Sequence, residues 1–144
     1  MAKYAPDLKW VPPVEYPKDY QVARKELSEL QTKVSNLRDM VLHGELTSAG
    51  TSILAMVPRI TVAGRVAVDS MKNQKEDMSM KAYRAEVAHY ELLGALGSCD
   101  VLIGQGMRGE MGSVTMTQIQ VLKDLDYADE RFHEFMKAVP EQIS

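Results

Sequence analysis

The stretch YQVARKELSELQTKVSNLRDMV, residues 20–41, decides the fold. It places Tyr20, Ala23, Leu27, Leu30, Val34, Leu37 and Val41 at alternating spacings of three and four, with polar residues filling most of the gaps. That spacing keeps all seven on one face of an α-helix. The pattern predicts a first helix over about 18–43, with Asp19 as cap or first-turn acid and Gly44 as a left-handed stop after His43.

Three further segments carry the same period. The second predicts a helix over 47–72 with Leu46, Ala49, Ile53, Met56, Ile60, Ala63, Ala67 and Met71 inward. The register survives Pro58, so a kink is expected there rather than a break. A polar run, Asn73 to Asp77, reads as a loop. The third helix is expected over 79–99, with Met80, Tyr83, Val87, Tyr90, Leu93 and Leu96 inward and Gly94 and Gly97 on or beside that face. Residues Asp100 to Gly112 contain four glycines and read as the next connection. The fourth helix is expected over 113–139, with Val114, Val121, Leu125, Ala128, Phe132, Phe135 and Val139 inward and Pro140 ending it. Four apolar faces joined by three short connections predict an all-α, up-down-up-down four-helix bundle spanning 18–144.

Residues 1–17 read differently. Pro6, Pro12, Pro13 and Pro17 remove backbone donors and hold the chain near polyproline geometry. Trp10 and Tyr16 lie among them. An extended, stiffened arm either packs back on its own bundle or docks on a partner at reduced entropic cost.

Totals exclude several functions. At 144 residues the chain is one domain with one core. A net charge of −3 gives no general attraction to nucleic acid or anionic lipid. Ten methionines suit gap-filling in a helical core. The single cysteine, Cys99, forms no internal disulfide. No apolar run is expected to span a bilayer, because Pro58, Arg59, Gly64 and Arg65 interrupt Ile53 to Val68. The start, Met1-Ala2-Lys3, reads as neither signal nor transit peptide, so the expectation is a protein that stays where it is made or a processed form.

The motifs that carry chemistry are few. Gly104-Gln105-Gly106-Met107-Arg108-Gly109 matches GxGxxG after Val101-Leu102-Ile103. A dinucleotide site needs a βαβ unit around that match, and the residues that follow carry one helical pattern with no second strand. Glu86/His89 and Glu130/His133 are each an ExxH pair, while His43 stands apart. Di-metal bundles add two core carboxylates from the other helices, and those stripes are apolar here. Cys99 has no neighbouring histidine in sequence, and no GxSxG occurs. Arg59 and Arg65 interrupt an otherwise apolar helix. They either sit on its wet side or reach a carboxylate or a partner's acidic loop. The charges Lys123-Asp124 and Asp129-Glu130-Arg131 read as ordinary wet surface. No catalytic residue, metal ligand, cofactor or small-molecule substrate is expected.

With a Pro-rich arm ahead of four helices, the chain resembles the PsbQ family of photosystem II extrinsic proteins and the related lumenal proteins of red algae and diatoms. The local resemblance lies in Leu122-Lys123-Asp124-Leu125-Asp126-Tyr127-Ala128, in Phe132 through Pro140, and in Leu37-Arg38-Asp39. It implies a non-enzymatic subunit in the chloroplast thylakoid lumen, peripheral to the membrane and not spanning it. Its partners would be the photosystem II core and other extrinsic subunits. It would stabilise the oxygen-evolving machinery and its calcium and chloride requirement without binding the manganese cluster. The resemblance gives the arm, with Trp10, Pro12 and Pro13, a docking role. Tyr16, Arg59 and Arg65 complete the expected partner-binding residues. The acidic balance and the Gly-rich third connection depart from plant members. A bundle subunit or adaptor of another photosynthetic or organellar complex predicts the same fold. An enzyme or cofactor carrier using the glycine loop or the ExxH pairs is the remaining alternative.

Overall fold

The computed structural model describes residues 15–143, and over them the chain is all-helical, with no strand. The helices are α1 (Tyr20–Leu42), α2 (Leu46–Lys72), α3 (Ser79–Met107) and α4 (Val114–Ala138). The arm residues Trp10, Pro12 and Pro13 lie outside the described residues.

Local chemistry starts and stops the helices. Asp19 accepts from the backbone N–H of Gln21 and Val22 at the start of α1, and Ser113 accepts from Met116 at the start of α4. Gly44, with φ of 75°, turns the chain between α1 and α2. Helix α2 runs uninterrupted through Pro58, which is exposed, so the backbone carbonyl robbed of its donor lies on the solvent side.

Each helix packs against its neighbours in a ring, α1 on α2, α2 on α3, α3 on α4 and α4 on α1. Cross-links show that neighbours run antiparallel. Tyr20 Oη donates to the Pro140 carbonyl at one end of α1, and Gln118 donates to the Val41 carbonyl at the other, 2.8 Å away. Lys72 meets Glu86 across α2 and α3 while Thr47 reaches Met107. This is a four-helix bundle with a single apolar core.

All seven stripe residues of α1 and all eight of α2 are buried. Helix α2 also has the length and apolar composition of a membrane-crossing helix, where the sequence reading expected none, but these stripe residues line the core.

Helix α3 overturns two expectations. It does not stop at residue 99 but continues to Met107, and the turn is confined to Arg108–Ser113, where Gly109 and Gly112 take positive φ. Its buried face is also another one. Met80, Tyr83, Val87 and Tyr90 are exposed and Leu93 is half-buried. The core takes Ala82, Ala85, Ala88, Leu92, Ala95, Leu96, Cys99 and Ile103. Gly106 against Thr117, Cys99 against Val121 and His89 against Phe135 fix the register of α3 on α4. In that register Ala85 and Ala88 lie at the level of Phe132 and Phe135, so there the bulk comes from α4 and the close approach from α3.

On α4 the stripe holds from Val121 to Val139, but Val114 is exposed and Thr117 takes the inward position. Thr117 already faces Gly106 near the end of α3, so Val114 lies beyond any opposing helix. The Thr117 hydroxyl donates to the Ser113 carbonyl, 3.1 Å away, so this buried polar group is satisfied within its own helix.

Candidate functional site

Arg59 ties the foot of the arm to the bundle. It follows Pro58 on the half-exposed side of α2, and its Nε donates to Glu26 Oε1 on α1 at 2.5 Å. Its Nη2 donates to the Glu15 carbonyl at 3.3 Å, and the guanidinium sits 5.6 Å from the centre of the Tyr16 ring. A planar, delocalised cation suits this combined ion-pair and ring contact. Pro17 is buried between these contacts and the cap of α1. Glu15 and Tyr16 are therefore held at a defined place, beside α2. Arg65, one and a half turns further on, is exposed and makes no ion pair among the described residues.

The histidines do not converge. His43 caps α1, with Nδ1 2.7 Å from the Asp39 carbonyl. His133 is exposed. His89 turns inward and its Nε2 lies 3.0 Å from the Ile60 carbonyl, which makes Nε2 the protonated nitrogen. A Cβ at position 64 would overlap the imidazole, so Gly64 makes the seat for the ring. Burial pushes the His89 pKa down. Glu86 instead reaches outward to Lys72, 2.8 Å away. Among the described residues, no three His, Cys, Asp or Glu side chains cluster as a metal would require. Cys99 is buried, and burial raises its thiol to about 12, far from the thiolate that nucleophilic chemistry needs.

The GxGxxG match lies at the C-terminal end of α3. The N–H groups of Arg108, Gly109 and Glu110 already donate to Gly104, Gly106 and Gln105 carbonyls. A helix C-terminus presents carbonyls and negative potential, the wrong polarity for a phosphate. Gly106 serves packing, because a Cβ there would overlap Thr117.

One arrangement went unread in the sequence. A cleft of about 550 Å³ lies between the start of α3 and the end of α4, lined in part by Lys81, Tyr83, Arg84, Glu91, Arg131 and Lys137. Arg131 links Glu91 at 3.4 Å and Glu130 at 2.7 Å, and Tyr127 Oη donates to Glu91 at 2.8 Å. The Asp129-Glu130-Arg131 run is thus part of a network between helices, rather than plain wet surface. Spacing within α4 carries no sign of it, because its partner is on α3. Beside this cleft, the outer face of α3 exposes Met80, Tyr83, Val87 and Tyr90.

No family model matches this chain, and neither a curated protein nor a solved structure is significantly similar to it.

Proposed function

We propose that the chain is a non-catalytic bundle subunit that docks on the lumenal face of photosystem II and stabilises the oxygen-evolving machinery. The observation that carries the docking reading is the Arg59 clasp. By holding Glu15 and Tyr16 against α1 and α2, it fixes the C-terminal end of the Pro-rich arm. A stiff segment anchored at its root loses less entropy on binding than a free tail. The core supports the same reading, since the inward stripes are occupied by one another and recognition is left to the arm and the outer surface. The choice of photosystem II and of the thylakoid lumen rests on the resemblance in residues 122–128 and 132–140. On this reading Trp10, Pro12 and Pro13 contact the partner, and Arg59 and Tyr16 orient them.

A tagged chain incubated with detergent-solubilised thylakoid membranes tests this. Photosystem II core subunits are expected to be retained. Trp10→Ala combined with Pro12→Ala should weaken retention roughly tenfold, as for loss of an aromatic anchor. Failure to retain either photosystem overturns the assignment, and retention of another membrane complex replaces it with the adaptor reading.

A further inference from the structure

Along the outer face of α3, Met80, Tyr83, Val87, Tyr90, Gly94, Gly97 and Val101 recur at alternating spacings of three and four. Met80 is 63% exposed, Tyr83 64%, Tyr90 80% and Val101 58%. A seam this narrow and regular is the pattern one helix presents to another. The glycines add an independent sign. Glycine weakens a helix interior relative to alanine, yet a Cβ at Gly94 or Gly97 would meet nothing within 4 Å. Gly64 and Gly106 each make room for a neighbour inside the chain, and these two make room for nothing within it.

The geometry points to a second copy of this chain as the occupant, packed antiparallel through α3 about a two-fold axis. The seam is large at its N-terminal half and small at its C-terminal half. Antiparallel pairing sets Met80 over the partner's Gly97, Tyr83 over the partner's Gly94, and Val87 against the partner's Tyr90, each pair occurring twice. A parallel pair would set tyrosine on tyrosine and leave the glycines facing a void. The same register brings Arg84 to the partner's Glu91. Arg84 makes no ion pair among the described residues. Glu91 faces Arg131 at 3.4 Å and accepts from Tyr127 at 2.8 Å on its own α4, and its side chain is still about a third exposed on the side a second cation would approach. Self-complementarity of size and charge is what an isologous interface requires. The exposed parts of these side chains offer on the order of 500 Å² per copy, so the pair reaches the lower range of specific interfaces. Self-association through α3 is independent of photosystem docking and is read on purified protein alone.

Sedimentation velocity on the full chain, at on the order of 10–100 μM, should show a reversible dimer. Tyr90→Glu should leave a monomer at those concentrations with an unchanged helical circular dichroism spectrum. Gly94→Ala with Gly97→Ala should act with opposite signs, raising the Tm of the dilute monomer and weakening association at least tenfold. Mixing a Val87→Cys chain with a Tyr90→Cys chain should form the mixed disulfide faster than either chain forms its own. Three results overturn the proposal: a wild-type chain that stays monomeric, a dimer that survives Tyr90→Glu, or a double alanine variant that associates as well as the wild type. The first leaves the face to a helix of a different protein.

Discussion

Helices α1 and α3 both carry an apolar seven-residue repeat, and the bundle uses the two in opposite ways. On α1 the repeat from Tyr20 to Val41 is buried throughout. On α3 the more conspicuous repeat, Met80 to Tyr90, faces out, and an alanine-rich face goes in. The difference teaches that stripe strength is not the deciding quantity where a helix has two candidate faces. What decides is the volume that the neighbours leave. Helix α4 supplies the two largest fully buried side chains, Phe132 and Phe135, which pack edge to face with centroids 6.5 Å apart. A helix that meets them at close range must be small there.

The sharpest way to break the comparison is to truncate each repeat. Leu37→Ala on α1 empties a fully buried position and should cost about 2–5 kcal/mol. Tyr83→Ala on α3 should change monomer stability by less than about 0.5 kcal/mol. Urea unfolding of both at low concentration reads the contrast, and equal losses would mean that the α3 faces are misassigned. Next in size, Ala85→Leu forces bulk into the small face of α3 and should destabilise by about 1–3 kcal/mol, although it strengthens the apolar stripe. An increase in Tm from that variant would refute the volume explanation.

A smaller effect of opposite sign is expected at the exposed glycines. Gly97→Ala should stabilise the dilute monomer by roughly 0.5–1 kcal/mol, because an open helical site gains propensity and loses no contact. The last contrast concerns the polar group of the inward face of α3. Burial lowers the His89 pKa below its ordinary 6.5, outweighing the hydrogen bond to the Ile60 carbonyl, which favours the charged ring; Arg65 also opposes its charging and Glu86 favours it. The unfolded chain then binds the proton first as pH falls. The neutral seat contributes stability in full above about pH 6.5 and loses it as pH drops through the folded pKa. Tm measured from pH 7.5 to 5 should fall less steeply in His89→Gln than in the wild type, and parallel curves would place the acid sensitivity elsewhere.

Much of the fold was legible in residue spacing. The faces of α1 and α2, most of α4 and the Asp19 cap follow from local pattern, because three- and four-residue steps and a capping carboxylate act within one helix. The candidate site was less so. Arg59 stood out as a cation in an apolar helix, but its partners Glu26 and Glu15 lie 33 and 44 positions away. The Glu91–Arg131–Tyr127 network spans two helices in the same way. The glycines of 104–109 looked like a loop because their helix propensity is poor. Gly104 and Gly106 are helical all the same, and Gly106 packs against Thr117 where a Cβ would overlap, so α3 runs two turns further.

By itself the sequence determined that four amphipathic helices exist and which way three of them face, since periodicity is a property of each helix alone. Only tertiary structure decided the orientation and length of α3, the inward seat of His89 on Gly64, and the clasp at the root of the arm. Each of these depends on the size or charge of a side chain supplied by another helix, and no local pattern encodes what will stand opposite.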